Sequence, residues 1–284
     1  MNKSNTKRPN WIRVKLPISK NYHTIQNIVD KYQLNTICQS GNCPNIGECW
    51  GNGIATFMIL GNICTRSCRF CNVKTGRPKM INWNEPEKVA FAIKKMNIKH
   101  AVITSVNRDD LDDMGSLLWI NTIKTIRYFN PFTTIETLIP DFKGKTKFLD
   151  KIINTKPEVI SHNLETVRRL TKEIRIQAKY DRSLEILRYL KTNGESRTKT
   201  GIMLGLGETE EEILETMEDI KKSNVDIITI GQYLQPSKQQ IAVRTFISPE
   251  KFKKYENIAL KMGFMYVESG ALVRSSYHAD RHVK

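Results

Sequence analysis

The chain has 284 residues, 39% hydrophobic and 26% charged, ordinary proportions for a globular protein. No stretch reaches the roughly 18–20 apolar residues that span a bilayer. The basic start MNKSNTKRPNWIRVKLPISK lacks the apolar core of a secretory signal, so a cytoplasmic, membrane-free protein is expected. The formal charge of +16 reflects a composition rich in lysine and favours an acidic protein partner. No basic run is interleaved with aromatics as a strand-binding groove requires, so no nucleic-acid partner is expected.

In chain order, residues 1–53 read as an N-terminal extension carrying Cys38, Cys43 and Cys49 in CQSGNCPNIGEC. Short apolar runs then alternate with amphipathic ones. Strands are predicted at 54–60, 100–105, 132–138, 158–163, 199–205 and 225–231. Helices are predicted at 85–97, 116–129, 145–153, 165–171, 181–192 and 209–222. The last begins with a capping box, Thr209 followed by Glu212, and with acids that suit the positive end of the helix dipole. Strands alternating with helices, and apolar along most of their length, argue for a parallel sheet covered on both faces. The repeating part, 54–245, is short for a closed eight-unit barrel of about 250 residues. A six-unit (β/α)6 partial TIM barrel of the α/β class is therefore expected, with a C-terminal extension over 246–284.

Chemistry in such barrels gathers at the C-terminal ends of the strands. The first strand is followed by CTRSCRFC, with Cys64, Cys68 and Cys71, and the later strand ends carry SVNRDD, IPDF, HNLE, GLGE and GQYLQPS. All six cysteines lie between positions 38 and 71, whereas a disulfide framework would spread them along a small secreted chain. Clustered thiolates are soft ligands for zinc, copper(I) or iron–sulfur clusters. Structural zinc takes four ligands, and none of the five histidines, His23, His100, His162, His278 and His282, stands at finger spacing from either trio. The C-x3-C-x2-C spacing lets one tight loop wrap a cubane with three thiolates and leave one iron for a substrate.

CTRSCRFC, with an aromatic residue before its third cysteine, resembles the signature of the radical S-adenosylmethionine (SAM) superfamily. With the upstream trio, and with TSVNRDDLDDMG, IETLIPDFKG, HNLETVRRL, KTGIMLGLGETEEEI, TIGQYLQPS and LVRSSYHAD in order, the chain resembles the lipoyl synthase family from about Pro9 to Asp280. The resemblance implies two 4Fe–4S clusters. Cys64, Cys68 and Cys71 would hold the one that binds SAM. Cys38, Cys43 and Cys49 would hold an auxiliary sulfur donor, with Ser276, or failing that Ser275, as its fourth ligand. A hard alkoxide is more easily replaced than a fourth thiolate, which suits a cluster that is consumed. The implied reaction is insertion of sulfur at C6 and C8 of an octanoyl chain on a lipoyl-carrier lysine, driven by deoxyadenosyl radicals and giving the dihydrolipoyl group. Implied partners are octanoylated lipoyl domains of 2-oxo acid dehydrogenase E2 subunits and the glycine cleavage H protein, an electron donor such as flavodoxin or ferredoxin, and an iron–sulfur carrier. The chain departs from the family pattern at Asn107, Asp113, Met114 and Ala271, none of them a cluster ligand.

From their place at strand ends, Arg108, Asp109, Glu136, Asn163 and Glu165 are candidate SAM contacts, each equally able to serve as a loop ion pair. Two other readings compete. A tRNA-modifying two-cluster radical SAM enzyme would suit the +16 charge, but no appended RNA-binding module is visible. A non-catalytic zinc module would make a colourless protein indifferent to SAM.

Overall fold

Where the sequence runs apolar on both faces, the chain forms strands that are buried along nearly their whole length. A computed structural model describes residues 8–283; the first seven residues of the 1–53 segment and Lys284 lie outside it. Three helices come first: α1 (Lys20–Lys31), α2 (Ile37–Ser40) and α3 (Ile46–Gly51). Ser19 and Thr36 cap the first two, their side chains accepting from the backbone N–H groups of Tyr22 and Gln39. This segment is stitched to the barrel: Met58 N–H donates to Asn35 O, and Thr36 bridges Phe57 in antiparallel fashion.

Strand β1 (Thr56–Ile59) opens the barrel, and a two-residue ladder, β2 (Ile63–Cys64) with β3 (Lys74–Thr75), braces the loop that follows. Next come α4 (Glu85–Lys95), β4 (His100–Ser105), α5 (Ser116–Phe129), β5 (Thr134–Leu138), α6 (Thr146–Ile153) and β6 (Val159–Ser161). The second half has α7 (Arg168–Ile174), α8 (Tyr180–Asn193), β7 (Arg197–Leu204), α9 (Glu210–Lys222), β8 (Ile227–Gln232), α10 (Pro249–Lys261) and β9 (Tyr266–Gly270). The capping box of α9 forms as predicted.

The main sheet runs β1-β4-β5-β6-β7-β8-β9, every pair parallel, so each strand neighbours the next in the chain and β1 does not pair with β9. That is the partial barrel expected from the sequence. It has one strand more than six units, because β9, from the C-terminal segment, continues the sheet beside β8. Ile103, Ile123, Ile160, Met217, Ile228 and Ile230 are among the side chains with no exposed surface between strands and helices. No helix is long and apolar enough to cross a membrane among the described residues.

After β9 the chain does not leave the barrel. It turns over the strand ends and descends, ending in a 3-10 turn (Ala279–Val283) that packs against β4.

Candidate active site

The loop after β1 is held from several sides before any cofactor is considered. Thr65 N–H and its hydroxyl both donate to Asn107 O, at 3.1 and 3.0 Å. The backbone N–H groups of Arg66 and Asn107 point at Cys64 Sγ, at 3.4 and 3.3 Å. Asn107 acts here through its backbone, so its departure from the family pattern leaves these contacts intact. Further along, Arg69 N–H donates to Ile174 O, and Ile241 N–H to Arg69 O.

Within the loop, Arg66 is only 6% exposed. Its guanidinium makes a forked pair with Asp109, at 2.6 and 2.9 Å, and reaches Asp141 at 2.6 Å. Although burial opposes charge on all three groups, the contacts hold the Arg66 pKa above its usual value and those of Asp109 and Asp141 below theirs. Asp109 and Asp141 follow β4 and β5, so Arg66 ties the cysteine loop to two neighbouring strand ends.

Five of the six cysteines face one open cavity of about 330 Å³. Cys64, Cys68 and Cys71 line it from one loop, Cys38 and Cys43 from the N-terminal segment, and Ser275 and Ser276 from the descending tail. Cys49 is not part of that lining, but it stands close enough for Cys38 and Cys43 to raise its pKa. The loops are linked directly: Asn72 Nδ2, beside Cys71, donates to Ser40 O at 3.1 Å. Asn45 Nδ2, inside the upstream trio, donates to Leu272 O of the tail at 2.5 Å.

All six cysteines are free. Burial, helped by the neighbouring thiol Cys43, pushes Cys38 up to about 11; burial with Cys38 and Cys43 pushes Cys49 up to about 12. Burial likewise takes Cys68 to about 11 and Cys71 to about 12. Thiols like these ionise only when positive charge arrives among them, and metal binding then displaces their protons. Among the described residues no group of three histidine, cysteine or carboxylate side chains is arranged around a single metal ion. The donor set is instead two soft trios spread around a shared space, each with N–H groups or a serine at hand. Its chemistry fits iron–sulfur clusters. Trp50 Nε1, fully buried and without an oxygen acceptor, lies near enough to Cys38 to favour its thiolate form.

Of the five candidate SAM contacts, the structure brings two to the cavity. Asn163 Nδ2 donates to Glu165 Oε1 at 3.0 Å, and Asn163 Oδ1 is buried with no partner. Burial raises the Glu165 carboxyl although Arg175 opposes the shift. The other three do not line it. Arg108 turns away to Asp110, at 2.9 Å from both Nε and Nη2. Asp109 is engaged by Arg66. Glu136 is fully buried one inward step beneath the cavity, where Lys199 Nζ donates to both its oxygens, at 2.9 and 3.0 Å.

Two arginines were missed. Arg274 lies within LVRSSYHAD, where spacing gives it no role, and Arg175 belongs to none of the motifs. Both line the cavity, and Glu165 lies within the electrostatic reach of each. Arg175 Nη1 also donates to Leu164 O at 2.9 Å and to Ser183 Oγ at 3.2 Å. His162, on the same wall, bonds Ile139 O and Ser183 Oγ, both at 3.0 Å; burial and the charge of Arg175 push it down to about 4, so it is neutral at pH 7.

The radical SAM superfamily profile matches residues 58–220. The chain is 67% identical over 276 residues to lipoyl synthase from Flavobacterium psychrophilum, covering 97% of this chain and 95% of that protein. The mitochondrial lipoyl synthase of Nematostella vectensis matches with the same identity and coverage, and the lipoyl synthase of Karelsulcia muelleri is 62% identical over 282 residues. The chain belongs to the lipoyl synthase family. It is thus an enzyme of the radical SAM superfamily. Solved structures share the fold at low identity. Methylornithine synthase matches 90% of this chain and 80% of its own at TM-score 0.56 and 13% identity. SuiB of Streptococcus suis bound to S-adenosylmethionine matches 88% of this chain and 56% of its own at TM-score 0.58 and 13% identity.

Proposed function

We propose that this lipoyl synthase family member inserts two sulfur atoms, at C6 and C8, into octanoyl groups carried on lipoyl domains, using two 4Fe–4S clusters and SAM. One observation carries the reading: cysteines from both trios and the serines of a C-terminal tail meet across one cavity. Cys64, Cys68 and Cys71 would hold the cluster that binds SAM, and Cys38, Cys43, Cys49 and Ser276 the sulfur donor. When bound, these groups supply a carbon-centred radical strong enough to break unactivated C–H bonds, and the sulfur that replaces the hydrogens.

The chain's own residues bind, orient and shield. The N–H groups of Arg66 and Asn107 stabilise negative charge on Cys64 Sγ. Asn163 and Glu165 offer an amide and a carboxylate to the hydroxyls and ammonium of SAM, and Arg175 and Arg274 offer guanidinium groups to its carboxylate. Met58, Leu138 and Met203 give the cavity an apolar wall suited to an alkyl chain. Holding a reactive carbon near its sulfur source, away from water and stray hydrogen donors, is the protein's main contribution.

The carriers on this reading are the lipoyl domains of 2-oxo acid dehydrogenases and the glycine cleavage H protein. A flavodoxin or ferredoxin would supply electrons, an iron–sulfur carrier would renew the donor cluster, and the reaction would take place in the cytoplasm.

The test is anaerobic incubation of the reconstituted protein with SAM, a strong reductant and an octanoyl-lysyl peptide, followed by mass spectrometry. A gain of two sulfur atoms is expected; deoxyadenosine with an unchanged peptide would overturn the substrate assignment. In the S276A variant deoxyadenosine forms as before while sulfur insertion falls, and undiminished insertion would remove Ser276 from the donor site.

A further inference from the structure

Directly beneath the cavity lies a charged layer that the reaction itself does not use. Glu136 stands two residues before Leu138, and Lys199 two before Gly201; both Leu138 and Gly201 line the cavity. Two residues along a strand is one inward step, roughly 6–7 Å. Glu136 and Lys199 have no exposed surface, and Ser161 Oγ also donates to Glu136, at 2.9 Å. His282, from the last turn of the described chain, completes this layer. It is fully buried, its Nδ1 lies 3.2 Å from Lys199 Nζ, its backbone O accepts from Arg197, and its Nε2 faces Glu268 at 3.9 Å.

The serines are therefore strung between two fixed points. Before them, Leu272 O is gripped by Asn45, and Arg274 Nη1 donates to Gln232 O at 3.2 Å and Val273 O at 2.7 Å. Six residues beyond Ser276 comes His282, in the floor.

We propose that His282 is a positioning residue, which by docking between Lys199 and the barrel floor holds Ser275 and Ser276 against the auxiliary-cluster site. The role in cluster binding rests on the reading of that serine as a ligand given above; the docking itself does not. A segment fixed only at its upstream end samples many conformations, and ordering each of its residues costs backbone entropy. An alkoxide held on a freely moving end dissociates readily. Pinning the far end as well removes most of that freedom before the cluster binds. The chemistry of the pin is specific: Lys199 Nζ is shared by Glu136 and a neutral imidazole, whose Nδ1 lone pair accepts the remaining hydrogen bond.

The experiment compares the full-length wild type with H282A and H282N; asparagine can place an acceptor near the Nδ1 position. Amide hydrogen exchange on the apoprotein is read for peptides covering 271–279 and for β4 through β8. Exchange in the tail is expected to rise about tenfold or more in H282A, with the strands unchanged and H282N partly restored. A change spread evenly over tail and strands would mean a merely structural role, and an unchanged tail would mean no anchor; either overturns the proposal. After reconstitution, iron removal by a chelator is followed. H282A should lose half of its iron faster than the other half, and equal loss from both halves overturns the link to the cluster. A wild type that takes up only four irons would defeat the two-cluster reading alone, because the exchange result stands without any cluster. Should H282A fail to fold, H282N measured in the same way decides the question.

Discussion

Arg66 lies two residues past Cys64, and its guanidinium joins carboxylates that follow two different strands. Asp141 is 1% exposed, and deleting the cation leaves this buried anion only the longer contact with Arg182, at 3.3 Å, and the N–H of Lys143, so the loss lies at or below the lower end of the about 3–5 kcal/mol typical of a broken buried pair. R66A is therefore expected to lower the denaturation midpoint strongly, while R66K, keeping charge but not the fork, falls between. If the two carboxylates merely balanced surface charge, R66A would unfold like the wild type. A second expectation at this scale concerns acid. His162 is held at about 4 in the folded protein against about 6.5 in the unfolded chain. Between those values only the unfolded state binds the proton, so the stability it contributes is complete above pH 6.5 and is lost as pH falls through 4. Urea unfolding of wild type and H162Q should differ in pH slope by about one proton between pH 6 and 5. Equal slopes would mean that His162 is protonated in the fold.

Among the elements, the strands were legible because burial on both faces demands apolar runs, and such runs stand out in the sequence. β4 and α5 fall on the predicted bounds, and the capping box fixes the start of α9. β9 was harder: Tyr-Val-Glu-Ser-Gly is half polar, because as the last strand it is only partly covered. The depth of Glu136, beneath the cavity rather than in its lining, is hidden for a similar reason. Standing near a strand end says nothing of depth, and inward steps alternate with the floor beneath. The six cysteines and the serines could be read from spacing and resemblance, whereas Arg175 could not, since folding alone brings it to Glu165. Gly231 shows how an element makes room for the site. A Cβ there would stand 2.2 Å from Val273 O, a backbone atom with no freedom to swing aside. G231A should displace the tail, so that sulfur insertion falls while SAM cleavage persists; a variant with both activities intact would show that the tail has room to shift.

For the molecule as a whole, the +16 charge still calls for an account. Pairs such as Arg169 with Glu212 and Arg168 with Asp181 already cancel within that net figure, and lying largely exposed they contribute little stability. The unpaired excess acts instead as a long-range field, which speeds encounter with an acidic partner and weakens as salt shortens its reach to about 8 Å at physiological strength. A short neutral octanoyl-lysyl peptide feels little of that field; a folded acidic carrier domain feels all of it. Raising salt from about 0.05 to 0.5 M should therefore raise KM for an octanoylated carrier domain several-fold and leave KM for the peptide almost unchanged. Equal salt sensitivity for both substrates would place recognition in the cavity alone, and the positive charge would then reflect composition rather than partner choice.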